Sequence, residues 1–219
     1  MSRTIKEVLG TISMVILISL SISTCSTSTQ RSIDLKTTKS VVAFKSLVKG
    51  YVYGTGFNLK YKGRIYTVTN RHVCVAADQI DSTNGTARVN NEILKVIRIS
   101  SVHDICILES HSKSGLVLSP TAPQIMDEIT LIGHPRGLPL IIRKGHIVEH
   151  LSVCIGYSYG KKCLPSIRIS ATAYPGNSGS PVTNNAGQVV GILFAGNSQY
   201  SHEPFIVPLS YLKLEMSKL

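Results

Sequence analysis

The chain has 219 residues, with 23 Lys and Arg against 12 Asp and Glu and a formal net charge of +11. Hydrophobic residues make up 43% and charged residues 16%, which excludes a disordered chain on one side and a polytopic membrane protein on the other. Beyond the N-terminus no run of about 20 apolar residues could cross a bilayer, and the length suffices for one large domain or two small ones, each with a core.

At the N-terminus Arg3 and Lys6 precede an apolar run over residues 8–22. That run suits a signal-peptide core and is short for a spanning helix, so residues 1–24 read as a signal peptide or membrane anchor. Ile22-Ser23-Thr24-Cys25 resembles a bacterial lipoprotein cleavage box, which makes Cys25 a candidate for lipidation, with plain secretion and an uncleaved anchor as alternatives. The expected location is therefore outside the cytoplasm, in a bacterial-type cell envelope and tethered to a membrane. Lys and Arg are scattered from Arg31 to Lys218 with no basic run interleaved with aromatics, so nucleic acid is not an expected partner. A diffuse positive field beside anionic membrane or cell-wall polymer explains the charge better.

Residues 25–40 open on Ser26-Thr27-Ser28-Thr29, small and polar, and read as a tether. From Val41 the texture changes to short β-rich runs broken by Gly, Asn, Asp and Pro, predicting strands at 41–48, 51–59, 64–69, 87–99, 105–108, 128–132, 140–153, 166–170, 189–193 and 205–207. Such spacing implies an all-β sandwich or barrel, not βαβ units. Ser119-Pro120-Thr121-Ala122-Pro123 suits a connector. It divides the chain into an N-terminal barrel over 41–123 and a C-terminal barrel over 124–219. One short helix is expected over 211–218, capped by Ser210.

In Pro175-Gly176-Asn177-Ser178-Gly179-Ser180-Pro181 a serine stands between glycines. Gly176 and Gly179 allow backbone conformations closed to other residues, and such a turn can aim the N–H groups of Gly176 and Ser178 at one point as an oxyanion hole. Alone, this motif is more often just a turn. It is not alone: Thr69-Asn70-Arg71-His72-Val73 puts a histidine directly after a strand, and His103-Asp104-Ile105-Cys106 puts an aspartate at the mouth of another. His72, Asp104 and Ser178 occur in the chymotrypsin order.

With Asp104-Ile105-Cys106-Ile107-Leu108, Gly133-His134-Pro135-Arg136-Gly137 and Gly191-Ile192-Leu193, these segments resemble the trypsin-like serine proteases, most closely the protease domain of the HtrA (Deg) branch, over about residues 40–210. The resemblance implies two six-stranded antiparallel β-barrels with the triad between them, and protein or peptide substrates. It assigns Ser178 as nucleophile, His72 as general base and acid, and Asp104 as the carboxylate that orients His72. A histidine base predicts activity that rises through the neutral pH range. The branch usually carries a peptide-binding PDZ domain, which residues 179–219 leave no room for, and trimers are common in it, so an oligomer is conceivable.

Departures from the family pattern carry information. Asn177 stands where pancreatic-type members have an aspartate, so activation by a freshly cut N-terminus is not expected, and Ser180 replaces a glycine. Phe194 stands where a hydroxyl often reaches the catalytic aspartate, so Asp104 is expected to have fewer partners. By the family pattern the substrate pocket is lined by Thr172, Phe194, Ala195 and Gly196; with no carboxylate at Thr172 a basic side chain finds no partner, and cleavage after small or medium apolar residues is expected. Cys154 and Cys163 flank a Gly-, Tyr- and Lys-rich stretch that a disulfide could close. Cys74 and Cys106 each lie two residues beyond a triad member and suit two buried thiols or a bond. No short-spaced Cys and His pairs point to a metal, and no cofactor is expected. The rival reading is a catalytically silent trypsin-fold binding module, with polyanions as one class of ligand.

Overall fold

β-branched and aromatic residues alternating with polar ones carry more than half of the described residues into strands. The structure, a computed structural model, describes residues 37–45, 51–75, 85–157, 160–197 and 200–219, with backbone alone at 155–157, 160–162, 195–197 and 200–203. The signal or anchor over 1–24, Cys25 and most of the tether lie outside the described residues. Among the described residues no helix is long and apolar enough to cross a membrane.

The first six strands are β1 (Val41–Lys45), β2 (Val52–Tyr61), β3 (Arg64–Thr69), β4 (Thr86–Val89), β5 (Glu92–Ile99) and β6 (Cys106–Glu109). They form an antiparallel ring in the order β1-β2-β3-β6-β5-β4, closed at Phe44 opposite Val89. The next six are β7 (Glu128–Gly133), β8 (Ile141–Tyr157), β9 (Gly160–Ile169), β10 (Pro181–Thr183), β11 (Val189–Asn197) and β12 (Tyr200–Pro208). They close in the order β10-β11-β12-β9-β8-β7. The fold is thus the expected pair of six-stranded barrels with a C-terminal helix, and both barrels lie in one unit running from Lys36 to Leu219.

Three expectations about elements change. The run 87–99 is a hairpin, not one strand: Asn90 takes φ +52°, a left-handed turn conformation that Asn tolerates. Asn90 also exchanges two hydrogen bonds with Ala43, accepting its N–H on Oδ1 at 2.9 Å and donating its own N–H to the Ala43 carbonyl at 2.7 Å, so the turn helps close the barrel. β10 went unpredicted because a three-residue strand directly after a Gly-rich turn has no periodicity to read. The helix spans Leu209–Ser217 with Pro208 at its N-cap, so Ser210 lies inside it and caps nothing.

The connector is not a free linker: Ser119 donates its N–H to the Val189 carbonyl at 2.9 Å, and the Pro120 carbonyl accepts Lys213 Nζ–H at 2.9 Å. The residues just before it are tied down as well. Leu116 bridges to Leu59 of β2 and Leu118 to Val189 of β11. Phe57, Leu59 and Ile107 of the first barrel share one buried cluster with Ile192, Phe194 and Val207 of the second and with Leu212 and Met216 of the helix. Two disulfides add covalent ties. Cys154 and Cys163 face each other across β8 and β9, and Cys74–Cys106 is a bond, not two free thiols.

Candidate active site

His72 rides on a single helical turn, Arg71–Cys74, that starts as soon as β3 ends. Val73 and Cys74 are its buried anchors, and Gly54 of β2 leaves room for Val73: a Cβ there would come within 2.6 Å of Val73 Cγ1. Asp104 lies in the turn between β5 and β6. Its carboxylate grips His72 at two points, accepting the His72 backbone N–H on Oδ1 at 3.0 Å and pairing Oδ2 with Nδ1 at 2.7 Å. The fully buried Asn70 ties the two turns together, donating Nδ2–H to the Asp104 carbonyl at 2.9 Å. Among the described residues the Asp104 carboxylate has no partner besides His72. Phe194 is buried and lines, with Asp104, His103, Leu164 and Tyr211, a cavity of about 10 Å³.

Ser178 comes from the second barrel, in the turn before β10. Asn177 N–H closes a β-turn onto the Tyr174 carbonyl at 3.0 Å, with Pro175 and Gly176 at its centre and Gly176 at φ +94°. Proline second and a positive-φ glycine third is the type II pattern. The Pro175 carbonyl accepts the Arg136 N–H at 2.6 Å. In a trans peptide N–H and C=O point oppositely, so the Gly176 N–H faces away from Arg136. Neither Gly176 N–H nor Ser178 N–H donates a hydrogen bond among the described residues. Ser178 Oγ likewise makes no hydrogen bond there, to His72 or to any other described group.

The serine turn is seated on the first barrel through Thr55 of β2, a residue that sequence reasoning did not single out. Thr55 donates its N–H to the Ser178 carbonyl at 2.8 Å and its hydroxyl to the Gly176 carbonyl at 2.7 Å. The same hydroxyl accepts the His134 N–H at 3.0 Å, and the Thr55 carbonyl accepts the Thr69 hydroxyl at 2.6 Å. Gly179, at φ +87°, lets this happen: a Cβ would fall 2.0 Å from the Thr55 carbonyl oxygen. The glycine-flanked Gly54-Thr55-Gly56 inside a strand is the signal that hints at it, since glycine in a strand marks close backbone approach.

Ser180 fits because Gly133 has no side chain; a Cβ there would collide with Ser180 Oγ and Asn177 Oδ1. Arg136, at φ +55°, lays its guanidinium over the Tyr174 ring at 4.5 Å. Burial lowers the His134 pKa, the Leu138 carbonyl acting against it and the Lys45 charge with it. Of the expected pocket residues, Thr172 is partly exposed between buried Ala171 and Ala173. Ala195 and Gly196 are described by backbone alone, paired with Phe205 and Pro204.

The model of the trypsin-like peptidase domain matches residues 54–192. Protease Do-like 2, chloroplastic, of Arabidopsis thaliana is 35% identical over 72 residues, which are 33% of this chain and 12% of that relative. The matched stretch is thus a small part of the relative's length. Among solved structures, the active form of the Rv3671c protease from M. tuberculosis is similar with a TM-score of 0.70 at 22% identity, covering 88% of this chain and 86% of that one. The serine endoprotease from Yersinia pestis is similar with a TM-score of 0.64 at 20% identity, covering 86% and 65%.

Proposed function

The chain belongs to the trypsin-like peptidase domain family, and on that premise we propose that it is a serine endopeptidase with Ser178 as nucleophile, His72 as general base and acid, and Asp104 as the carboxylate that orients His72. With Nδ1 held by Asp104, Nε2 of His72 keeps the lone pair that takes the Ser178 hydroxyl proton as Oγ attacks the substrate carbonyl. The carbonyl oxygen becomes an anion and is received by the N–H groups of Gly176 and Ser178. His72 then returns the proton to the leaving amine, and water releases the acyl group by the same route. The observation that carries this reading is the two-point grip of Asp104 on His72, together with a serine turn that Thr55 seats on the same barrel.

Thr172 offers no charge to a basic side chain, which favours cleavage after small or medium apolar residues. Two disulfides suit an oxidising compartment and, with the apolar N-terminus and Cys25, support export and attachment to a membrane. A fluorophosphonate probe tests the chemistry. The purified chain is expected to be labelled, the Ser178→Ala variant is not, and Val-containing peptides are cut faster than Arg-containing ones. Folded protein that stays unlabelled would leave the silent binding module as the better reading.

A further inference from the structure

Glu215 belongs to the C-terminal helix, in the last turns of the chain, yet it is only 1% exposed. It lies under the turn that carries Asp104. Its Oε2 accepts Arg98 Nε–H at 2.6 Å. Its Oε1 accepts the Ser100 hydroxyl at 3.0 Å and Lys218 Nζ–H at 3.0 Å, and lies 3.0 Å from His103 Nδ1. Two of these four partners, Ser100 and His103, belong to the Asp104 turn itself.

The turn shows why that matters. With its proton directed at Glu215, the Ser100 hydroxyl receives the N–H groups of Val102 at 3.3 Å and His103 at 2.9 Å. Ser100 N–H reaches the Ile105 carbonyl at 3.0 Å, and Ile105 N–H the His103 carbonyl at 2.8 Å. One helical turn before Glu215, on the same face, Tyr211 stacks on the His103 ring with centroids 4.1 Å apart. Both carboxylate oxygens of Asp104 are occupied by His72. Among the described residues, then, its position is set through its backbone: by Asn70 on one side and by this cluster on the other.

We propose that Glu215 is a positioning residue for peptide hydrolysis, setting the placement of Asp104, and through it the His72 ring, by way of Ser100 and His103. An anchor that merely joined the helix to the first barrel would need Arg98 alone. The inference rests on the triad reading above, and the experiment separates the two.

In the full chain, Glu215→Ala and Ser100→Ala are compared with wild type after active sites are titrated with the fluorophosphonate. Misplaced catalytic groups cost rate more than binding, so kcat per titrated site is expected to fall roughly tenfold or more, with KM held within about twofold. The far-downfield proton resonance of the His72 Nδ1–H to Asp104 hydrogen bond is expected to shift or broaden. Glu215→Gln, which keeps an acceptor oxygen for Ser100, recovers most of kcat. Ser100→Ala removes one hydroxyl and leaves the Arg98 and Lys218 contacts, so it decides the matter if Glu215→Ala does not fold. Variants that lose thermal stability or active fraction, but keep kcat per titrated site and an unmoved resonance, overturn the proposal. A wild-type chain that takes no probe overturns the triad reading and this inference together.

Discussion

At the scale of single residues, Thr55 joins the serine turn to the histidine strand, and its side chain is wholly buried. Thr55→Val keeps the shape and leaves the Gly176 carbonyl and His134 N–H without their partner. Buried groups stripped of a partner cost about 1–3 kcal/mol each. Chemical denaturation is therefore expected to show a loss of about 2–6 kcal/mol for the two groups together, and steady-state kinetics a lower kcat with little change in KM. His72 and Asp104 stood out as candidates because each adjoins an apolar strand, Ser178 because glycines flank it, and the three together because they occur in the chymotrypsin order. Thr55 was not legible as a bridge: its partners Gly176 and His134 lie 121 and 79 positions away, beyond any local pattern. Only the flanking glycines marked the spot.

At the scale of elements, the C-terminal helix contacts the Asp104 turn through Ser100 and His103, and the Cys74–Cys106 bridge ties the His72 helix to β6. Burial works to raise the Glu215 carboxyl, but hydrogen bonds from Arg98, Lys218, His103 and Ser100 outweigh it and hold the pKa down from 4.5 to about 2. A carboxylate whose pKa is lower in the folded state stabilises the fold above its unfolded value and loses that contribution as pH falls through the folded one. About 3 kcal/mol should thus vanish between roughly pH 4.5 and 2, and thermal melts across that window should be flatter in Glu215→Gln. The disulfide closes a 32-residue separation between the His72 helix and the strand after Asp104. Replacing both cysteines with alanine is expected to cost about 3–4 kcal/mol, read as a lower Tm. Strand positions were mostly readable from β-branched runs and turn residues. The hairpin inside 87–99 was not, because Asn90-Asn91 is a turn only once Asn90 is held by Ala43. The helix start at Leu209 was missed because Ser210 looks like a cap, whereas Pro208 occupies that position without a side-chain bond.

At the scale of the whole molecule, the barrels share a core instead of meeting at a wet surface. Phe57 and Ile107 pack in the same cluster as Ile192, Val207 and Leu212. Calorimetry should therefore show one unfolding transition covering both barrels. Leu212→Ala should lower that transition as a whole, by about 2–5 kcal/mol, without splitting it in two. Alternating strands, the proline-rich connector and the local settings of His72, Asp104 and Ser178 could be read along the chain, because each depends on neighbours a few positions apart. Whether Cys74 and Cys106 bond, where the barrels close, how Arg136 meets the Pro175–Gly176 peptide and what Glu215 holds emerged only from the folded arrangement. Those features join groups up to 117 residues apart, and contacts of that span leave no periodicity in the chain that forms them.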